Sequence, residues 1–153
     1  AVVASLLICE MAAYYKAQGK SLYTVMQDIY AQYGMYLSSL LNFGFEGASG
    51  MKKMADMMES LRNEPPKTIG GLDVEYVSDY KASETLCCAT DEKTAITLPK
   101  SNVLQYKLPS GSGVIVRPSG TEPKCKFYFS VRGKNRAEAE AKLPEIKKAF
   151  ERV

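Results

Sequence analysis

The chain has no histidine, and its four cysteines, Cys9, Cys87, Cys88 and Cys125, show no C-x-x-C spacing. Without imidazoles or paired thiols at ligand spacing there is no zinc site to be read. Cysteines this few, with no framework among them, fit a reduced, cytoplasmic protein. The adjacent Cys87 and Cys88 form the one conceivable redox pair, and ordinary packing or loop positions are preferred for them. Long apolar runs are also missing. Residues 1–13 are strongly apolar, but they lack a basic flank, include Glu10 and run straight into Tyr14, Tyr15 and Lys16. That stretch is too short and too interrupted to span a bilayer. Its abrupt apolar start, with no initiator Met, is instead expected of a cut inside a longer protein. There is no internal repeat and no low-complexity run.

What is present is the balance of a globular protein: 46% hydrophobic and 24% charged residues, which excludes a disordered tail. A length of 153 residues suits one ordinary domain, or a small domain with part of its neighbour. The net charge of +3 is unevenly spread. Residues 1–99 carry eight Lys and Arg against twelve Asp and Glu, and residues 100–153 carry twelve against five. The C-terminal third is therefore expected to meet something anionic, with a solvated lysine-rich helix face as the ordinary alternative.

Periodicity divides the chain near residue 66. Residues 1–18 read as a helix that ends at Gly19, apolar nearly all round and so in need of burial. Ser21 caps a second helix striped by Leu22, Val25, Met26, Ile29, Tyr30 and Tyr33 before Gly34. A loop with three glycines follows. Met51, Met54, Ala55, Met58 and Leu61 then mark a third helix, stopped by Pro65 and Pro66, whose methionines are read as core rather than as a binding groove. Beyond it the texture is that of strands: Val74 to Val77, Leu104 to Leu108, Val114 to Val116, and Cys125, Phe127, Phe129 and Val131 alternating with polar neighbours. Residues 109–113, Pro-Ser-Gly-Ser-Gly, predict a hairpin turn. A last helix opens at Asn135 with Glu138 three residues on, and is striped by Ala139, Leu143, Ile146, Phe150 and Val153. Pro144 predicts a kink near residues 140–143, or two shorter helices. The expected fold class is α+β: an antiparallel sheet of about four strands with packed helices, preceded by a helical segment.

The chemistry concentrates in residues 117–124, Arg-Pro-Ser-Gly-Thr-Glu-Pro-Lys, between two expected strands. Arg117 offers a planar fork that binds two phosphate oxygens at once. Ser119 and Thr121 bring hydroxyls, Gly120 lets backbone N–H groups approach an anion, and Lys124 adds a mobile positive charge. Pro118 and Pro123 fix the backbone at either end, which lowers the entropy lost on ordering around a ligand. On composition alone, an exposed polar turn reads equally well.

Residues 114–124, Val-Ile-Val-Arg-Pro-Ser-Gly-Thr-Glu-Pro-Lys, resemble the phosphate-binding loop in the last domain of the α-D-phosphohexomutases, the family of phosphoglucomutase, phosphomannomutase and phosphoglucosamine mutase. Leu98 to Leu104, Pro65-Pro66 with Ile69-Gly70-Gly71, and the Met11 to Tyr15 helix are similar to its bacterial phosphoglucomutase/phosphomannomutase branch. The resemblance covers essentially the whole chain. It implies that residues 1–45 are the helical end of the third domain and residues 46–153 the fourth, which resembles the TATA-binding-protein-like fold.

As to activity, the resemblance implies an isomerase that transfers a phosphoryl group within a hexose phosphate, glucose 1-phosphate and glucose 6-phosphate first and mannose phosphates next. Magnesium would be its metal and a hexose 1,6-bisphosphate its intermediate. Arg117 would be the main phosphate ligand, completed by Ser119, Gly120 and Thr121. Lys124 has a solvent-facing reading beside the phosphate one. The phosphoserine, magnesium and sugar-reading loops would lie before Ala1, so no catalytic residue and no metal ligand is expected here, and the upstream domains are the expected partners. The adjacent Asp91 and Glu92 are read as solvated. Gly113 and Cys125 depart from the family's usual bulkier and aliphatic residues. A nucleic-acid-binding sheet using Phe127, Tyr128 and Phe129 is the alternative, weakened because two of the three rings should face inward. Neither nucleic acid nor membrane is an expected partner.

Overall fold

The computed structural model describes residues 2–47 and 49–151, so Ala1 and Val153, which the end helices were expected to include, lie outside the described residues. The chain divides into two compact units, one through Met35 and one from Tyr36.

The first unit is a helix pair, α1 (Val2–Ala17) and α2 (Leu22–Tyr33). Helix α1 stops because Gly19, at φ +73°, takes the left-handed position that side chains resist. Lys20 N–H then donates to Tyr15 O at 2.9 Å and Gly19 N–H to Lys16 O at 3.0 Å, which closes the last turn. Ser21 caps α2 as its position predicts, its Oγ accepting from Thr24 N at 3.1 Å. Neither helix buries a side chain. The all-round apolar surface of α1 is left open, with Val2, Leu6 and Tyr14 all more than 60% exposed.

The second unit is built on a seven-stranded sheet. Its strands are β1 (Met35–Gly44), β4 (Tyr76–Asp79), β5 (Glu84–Cys87), β6 (Lys93–Ala95), β7 (Leu104–Lys107), β8 (Gly113–Pro118) and β9 (Lys124–Gly133). They lie in the order β1-β9-β8-β7-β4-β5-β6, and every pairing from β9 across to β6 is antiparallel. A separate two-stranded ribbon joins β2 (Thr68–Ile69) to β3 (Leu72–Asp73). The four strands legible in the sequence are β4, β7, β8 and β9, which are the contiguous centre of this sheet. The three missed are its flanks: β6 is exposed throughout, β5 is at most half-buried, and β1, read as a glycine loop, alternates only between half-buried and exposed. Burial on one face is what writes an apolar period into a strand, and flanking strands have less of it.

Helices α3 (Gly50–Asn63) and α4 (Arg136–Lys148) pack on the face that presents Val77, Leu104, Tyr106, Val114, Val116, Cys125, Phe127 and Phe129. Met54, Met57, Met58 and Leu61 form the inward stripe of α3, while Met51 and Ala55 of the expected stripe are exposed. The core reading of the methionines holds for Met54 and Met58 and fails for Met51. Tyr106 donates its buried hydroxyl to Leu61 O at 3.0 Å, and burial pushes its phenol pKa up. Phe150 sets its ring against Phe127, Phe129 and Tyr106 at centroid distances of 5.2 to 6.2 Å, the geometry of edge and tilted aromatic pairs. Burying each such ring stabilises the fold by about 1.5–3 kcal/mol.

Pro109 to Gly111 form the predicted turn from β7 to β8. Asn135 caps α4 through Glu138 N–H at 2.9 Å, and the Glu138 carboxylate reaches back to Lys134 N–H at 2.8 Å. Pro144 does not divide the helix in two, since α4 runs through it as one element. The carbonyl its ring leaves without an N–H belongs to Glu140, an exposed residue. No helix among the described residues is long and apolar enough to cross a membrane.

Candidate phosphate-binding site

Strands β8 and β9 carry the loop. Their register places Val116 opposite Phe127, Arg117 opposite Lys126 and Pro118 opposite Cys125. Ser119 N–H then donates to Lys124 O at 2.8 Å, so the ladder continues one step further and only residues 120–123 form the tip. Since Val116, Phe127 and Cys125 face the core, strict alternation turns Arg117, Lys124 and Lys126 to the opposite face of the sheet from α3 and α4.

Ser119 shapes the tip from within. Its half-buried Oγ accepts from Thr121 N–H at 3.4 Å and Glu122 N–H at 3.3 Å, and Lys124 N–H donates to Glu122 O at 2.7 Å. A strap from β1 holds the far side, because Phe45 N–H donates to Pro123 O at 2.8 Å. Gly50, which opens α3, lies against the same strap: a Cβ there would run into Phe45 O and come within 3.0 Å of Pro123 Cβ. The floor is apolar, since Cys125 is fully buried with its sulfur 4.0 Å from Met58 Sδ. Burial pushes the Cys125 thiol up to about 12.

Of the expected ligands, Arg117, Gly120, Thr121 and Lys124 are exposed and Ser119 half-buried, all within this one loop. The Arg117 guanidinium has no ion pair or hydrogen bond among the described residues, whereas the Lys124 ammonium lies 3.3 Å from the Glu122 carboxylate. A Cβ on Gly120 would meet no protein atom within 4 Å, so nothing inside the chain requires glycine there. Lys126 was not among the expected ligands. The alternation that turned Phe127 inward already placed it on the outer face, and the register sets it directly across from Arg117. Like charges opposite one another across a ladder destabilise it unless something anionic lies between them. The tip and its two flanking strand ends thus carry three cations, of which Lys124 alone is paired with the Glu122 carboxylate among the described residues.

Phe127 and Phe129 are buried, which leaves Tyr128 as the outward ring of the three and removes the aromatic platform that a nucleic-acid surface needs. Among the described residues no group of three or more Cys, Asp or Glu is placed to hold a metal ion.

Comparison with known proteins finds relatives of one family. Residues 57–149 match the family model for the phosphoglucomutase/phosphomannomutase C-terminal domain. The chain is 37% identical over 129 residues to the phosphoglucomutase of Staphylococcus aureus (strain bovine RF122 / ET3-1), a match spanning 84% of this chain and 23% of that protein. It is 36% identical over 126 residues to the phosphoglucomutase of Staphylococcus saprophyticus, spanning 82% of this chain and 21% of that protein. The chain therefore spans about a quarter of the length of these relatives. The crystal structure of the exocytosis-sensitive phosphoprotein pp63/parafusin (phosphoglucomutase) from Paramecium, in its open form, shares the fold with a TM-score of 0.55 at 15% identity. That match covers 90% of this chain and 24% of that one.

Proposed function

The chain belongs to the phosphoglucomutase/phosphomannomutase family, whose C-terminal domain it matches, and on that premise we propose that the β8–β9 loop holds the non-reacting phosphate of a hexose phosphate while phosphoryl transfer proceeds on residues outside this chain. The observation that carries the proposal is the Arg117 guanidinium, without an ion pair among the described residues and opposite Lys126 in the ladder. Arg117 would grip two phosphate oxygens with its fork, Lys126 and Lys124 would add charge from the same face, and the Gly120 N–H and Thr121 hydroxyl would close over the tip. The Ser119 oxygen accepts the loop's own N–H groups, so its role is to set the tip, with its O–H left to donate. A glycine with no neighbour to avoid is what close approach by a ligand calls for.

Holding the remote phosphate turns its binding energy into positioning of the reacting end, from which much of phosphoryl-transfer catalysis comes. In the reaction that the family implies, a phosphoserine gives its phosphoryl group to the sugar, the hexose 1,6-bisphosphate turns round, and the other phosphate returns to the serine. The loop then accepts each phosphate in turn. Magnesium is the proposed metal of the whole protein, held by residues outside this chain. Glucose phosphates are the proposed substrates, with mannose phosphates next, and the cytoplasm is the proposed compartment on the strength of four free cysteines.

We assign the helices through Met35 to the end of the third domain and the chain from Tyr36 to the fourth. The sequence alone set that boundary between residues 45 and 46. The place of β1 beside β9 is the reason for drawing it earlier. The open apolar residues of α1 are the surface we expect upstream segments to cover.

Parallel titrations with glucose 6-phosphate and with glucose test the reading. Millimolar binding of the phosphorylated sugar, worth about 4 kcal/mol, and none of glucose is expected. Equal responses to both would remove the phosphate from the recognition and with it the proposal.

A further inference from the structure

Beyond the phosphate loop, the outer face of the sheet, opposite α3 and α4, is shaped by register. Side chains on that face recur every ~6.8 Å along a strand, and neighbouring strands lie ~4.8 Å apart. One such step from the Arg117–Lys126 pair, Ile115 lies opposite Tyr128, with Gln105 of β7 on the other side of Ile115. A further step on, Gly113 lies between Ser130 and Lys107. A Cβ at Gly113 would come within 2.9 Å of Tyr106 O, so the backbone itself keeps this position bare. A concavity of about 520 Å³ opens there, its lining including Gln105, Lys107, Gly113, Ile115, Tyr128 and Ser130.

From this arrangement we infer that Ile115 and Tyr128 form a platform for the hexose ring of the bound sugar phosphate, with the Gln105 amide and the Ser130 hydroxyl donating to hydroxyls at its edge. The inference rests on the phosphate reading of the β8–β9 loop, since it starts from a phosphate held by Arg117 and Lys126. The ring of a hexose 6-phosphate hangs from its phosphate by one ester oxygen and one methylene. That reach suits the single step from Arg117 and Lys126 to Ile115 and Tyr128. The ring is thus contacted from this chain on one side, whatever residues outside the chain read its other side.

The side chains match a sugar in kind as well as in place. A hexose ring has faces of C–H groups bounded by hydroxyls, so it is met by an apolar surface with a few polar groups at the rim. Tyr128 and Ile115 are 38% and 37% exposed, a cross-strand apolar pair beside a pair of cations. Gln105 is set beforehand, because its Oε1 accepts from the Tyr80 hydroxyl at 3.1 Å, which leaves its Nε2 to donate. At the far end of the concavity the Lys107 ammonium lies 5.8 Å from the centre of the Tyr76 ring, a cation–π contact that occupies that second exposed aromatic. Inorganic phosphate offers nothing to Tyr128, and a wholly apolar ligand offers nothing to Gln105 or to the cations. A phosphorylated sugar satisfies all of them.

Titration of the full 153-residue chain with glucose 6-phosphate and with inorganic phosphate tests the inference. Glucose 6-phosphate is expected to bind about fivefold more tightly, the factor that covering part of one aromatic ring supplies. Tyr128→Ala should abolish that preference and leave the affinity for inorganic phosphate unchanged. Tyr128→Phe should keep the preference, because the ring and not its hydroxyl makes the platform. Equal affinities in the parent chain would overturn the inference and leave the phosphate reading standing. So would a Tyr128→Ala chain that keeps the preference, or one that weakens both ligands alike while its melting temperature matches that of the parent. If Tyr128→Ala lowers the melting temperature, Gln105→Leu decides: loss of preference for the sugar phosphate supports the inference, and an unchanged preference overturns it. Failure of both ligands to bind the parent chain would remove the phosphate reading, and this inference with it.

Discussion

Arg117 and Lys126 sit directly opposite each other, and their mutual repulsion weakens the ladder slightly when no anion is present. Arg117→Ala should therefore leave the melting temperature unchanged or raised, while weakening glucose 6-phosphate binding about tenfold or more, as expected for loss of a charged, two-pronged contact. A scan paired with a titration checks both signs at once. Lys126→Ala should weaken binding by less, because an ammonium contributes as a point charge and not as a fork.

Beneath them, Cys125 supplies a pH dependence. Its folded thiol is held at about 12, against an ordinary value of 9.0. The unfolded chain therefore releases this proton first, and the stability linked to Cys125 is complete below about pH 9 and lost as pH rises toward 12. Tyr106, raised by the same burial, adds to the alkaline loss. Cys125→Val keeps the apolar floor and should flatten the part of the fall that begins near pH 9, as read from chemical denaturation at several pH values. A slope identical to that of the parent chain would show that Cys125 does not titrate on unfolding.

At the scale of elements, the loop is held from two sides, by the β8–β9 ladder and by the strap from Phe45 to Pro123. Gly50→Ala would push that strap away from the tip. It should lower affinity for the sugar phosphate although every ligand side chain remains, and it should also lower the melting temperature. Asn135→Ala should cost about 1 kcal/mol by removing the α4 cap, with no effect on binding.

The elements also show what a sequence can disclose. Val116, Phe127 and Phe129 made the central strands legible because one buried face imposes a period of two. Lys93 to Ala95 bury nothing and left no such mark, and the serines and glycine of β1 resembled a loop until β9 was seen beside it. Arg117, Ser119, Gly120, Thr121 and Lys124 were legible because they are consecutive or nearly so. Lys126 was not, because its place in the site comes from cross-strand register, which the sequence does not state outright. Of the two outcomes that Pro144 allowed, division into two helices does not occur, since α4 continues through it as one element.

Over the whole molecule, three of the twelve Lys and Arg of residues 100–153 lie at the loop, set by alternation on one face of two strand ends. Much of the binding should therefore be electrostatic, and raising the salt concentration should weaken it because exposed charges are screened. The central claim is that this tip is where a sugar's phosphate rests. The most direct measurement is a map of backbone amide shifts on addition of glucose 6-phosphate. The largest movements are expected within residues 117–126. Unmoved amides there, with saturable movement elsewhere on the chain, would contradict the account.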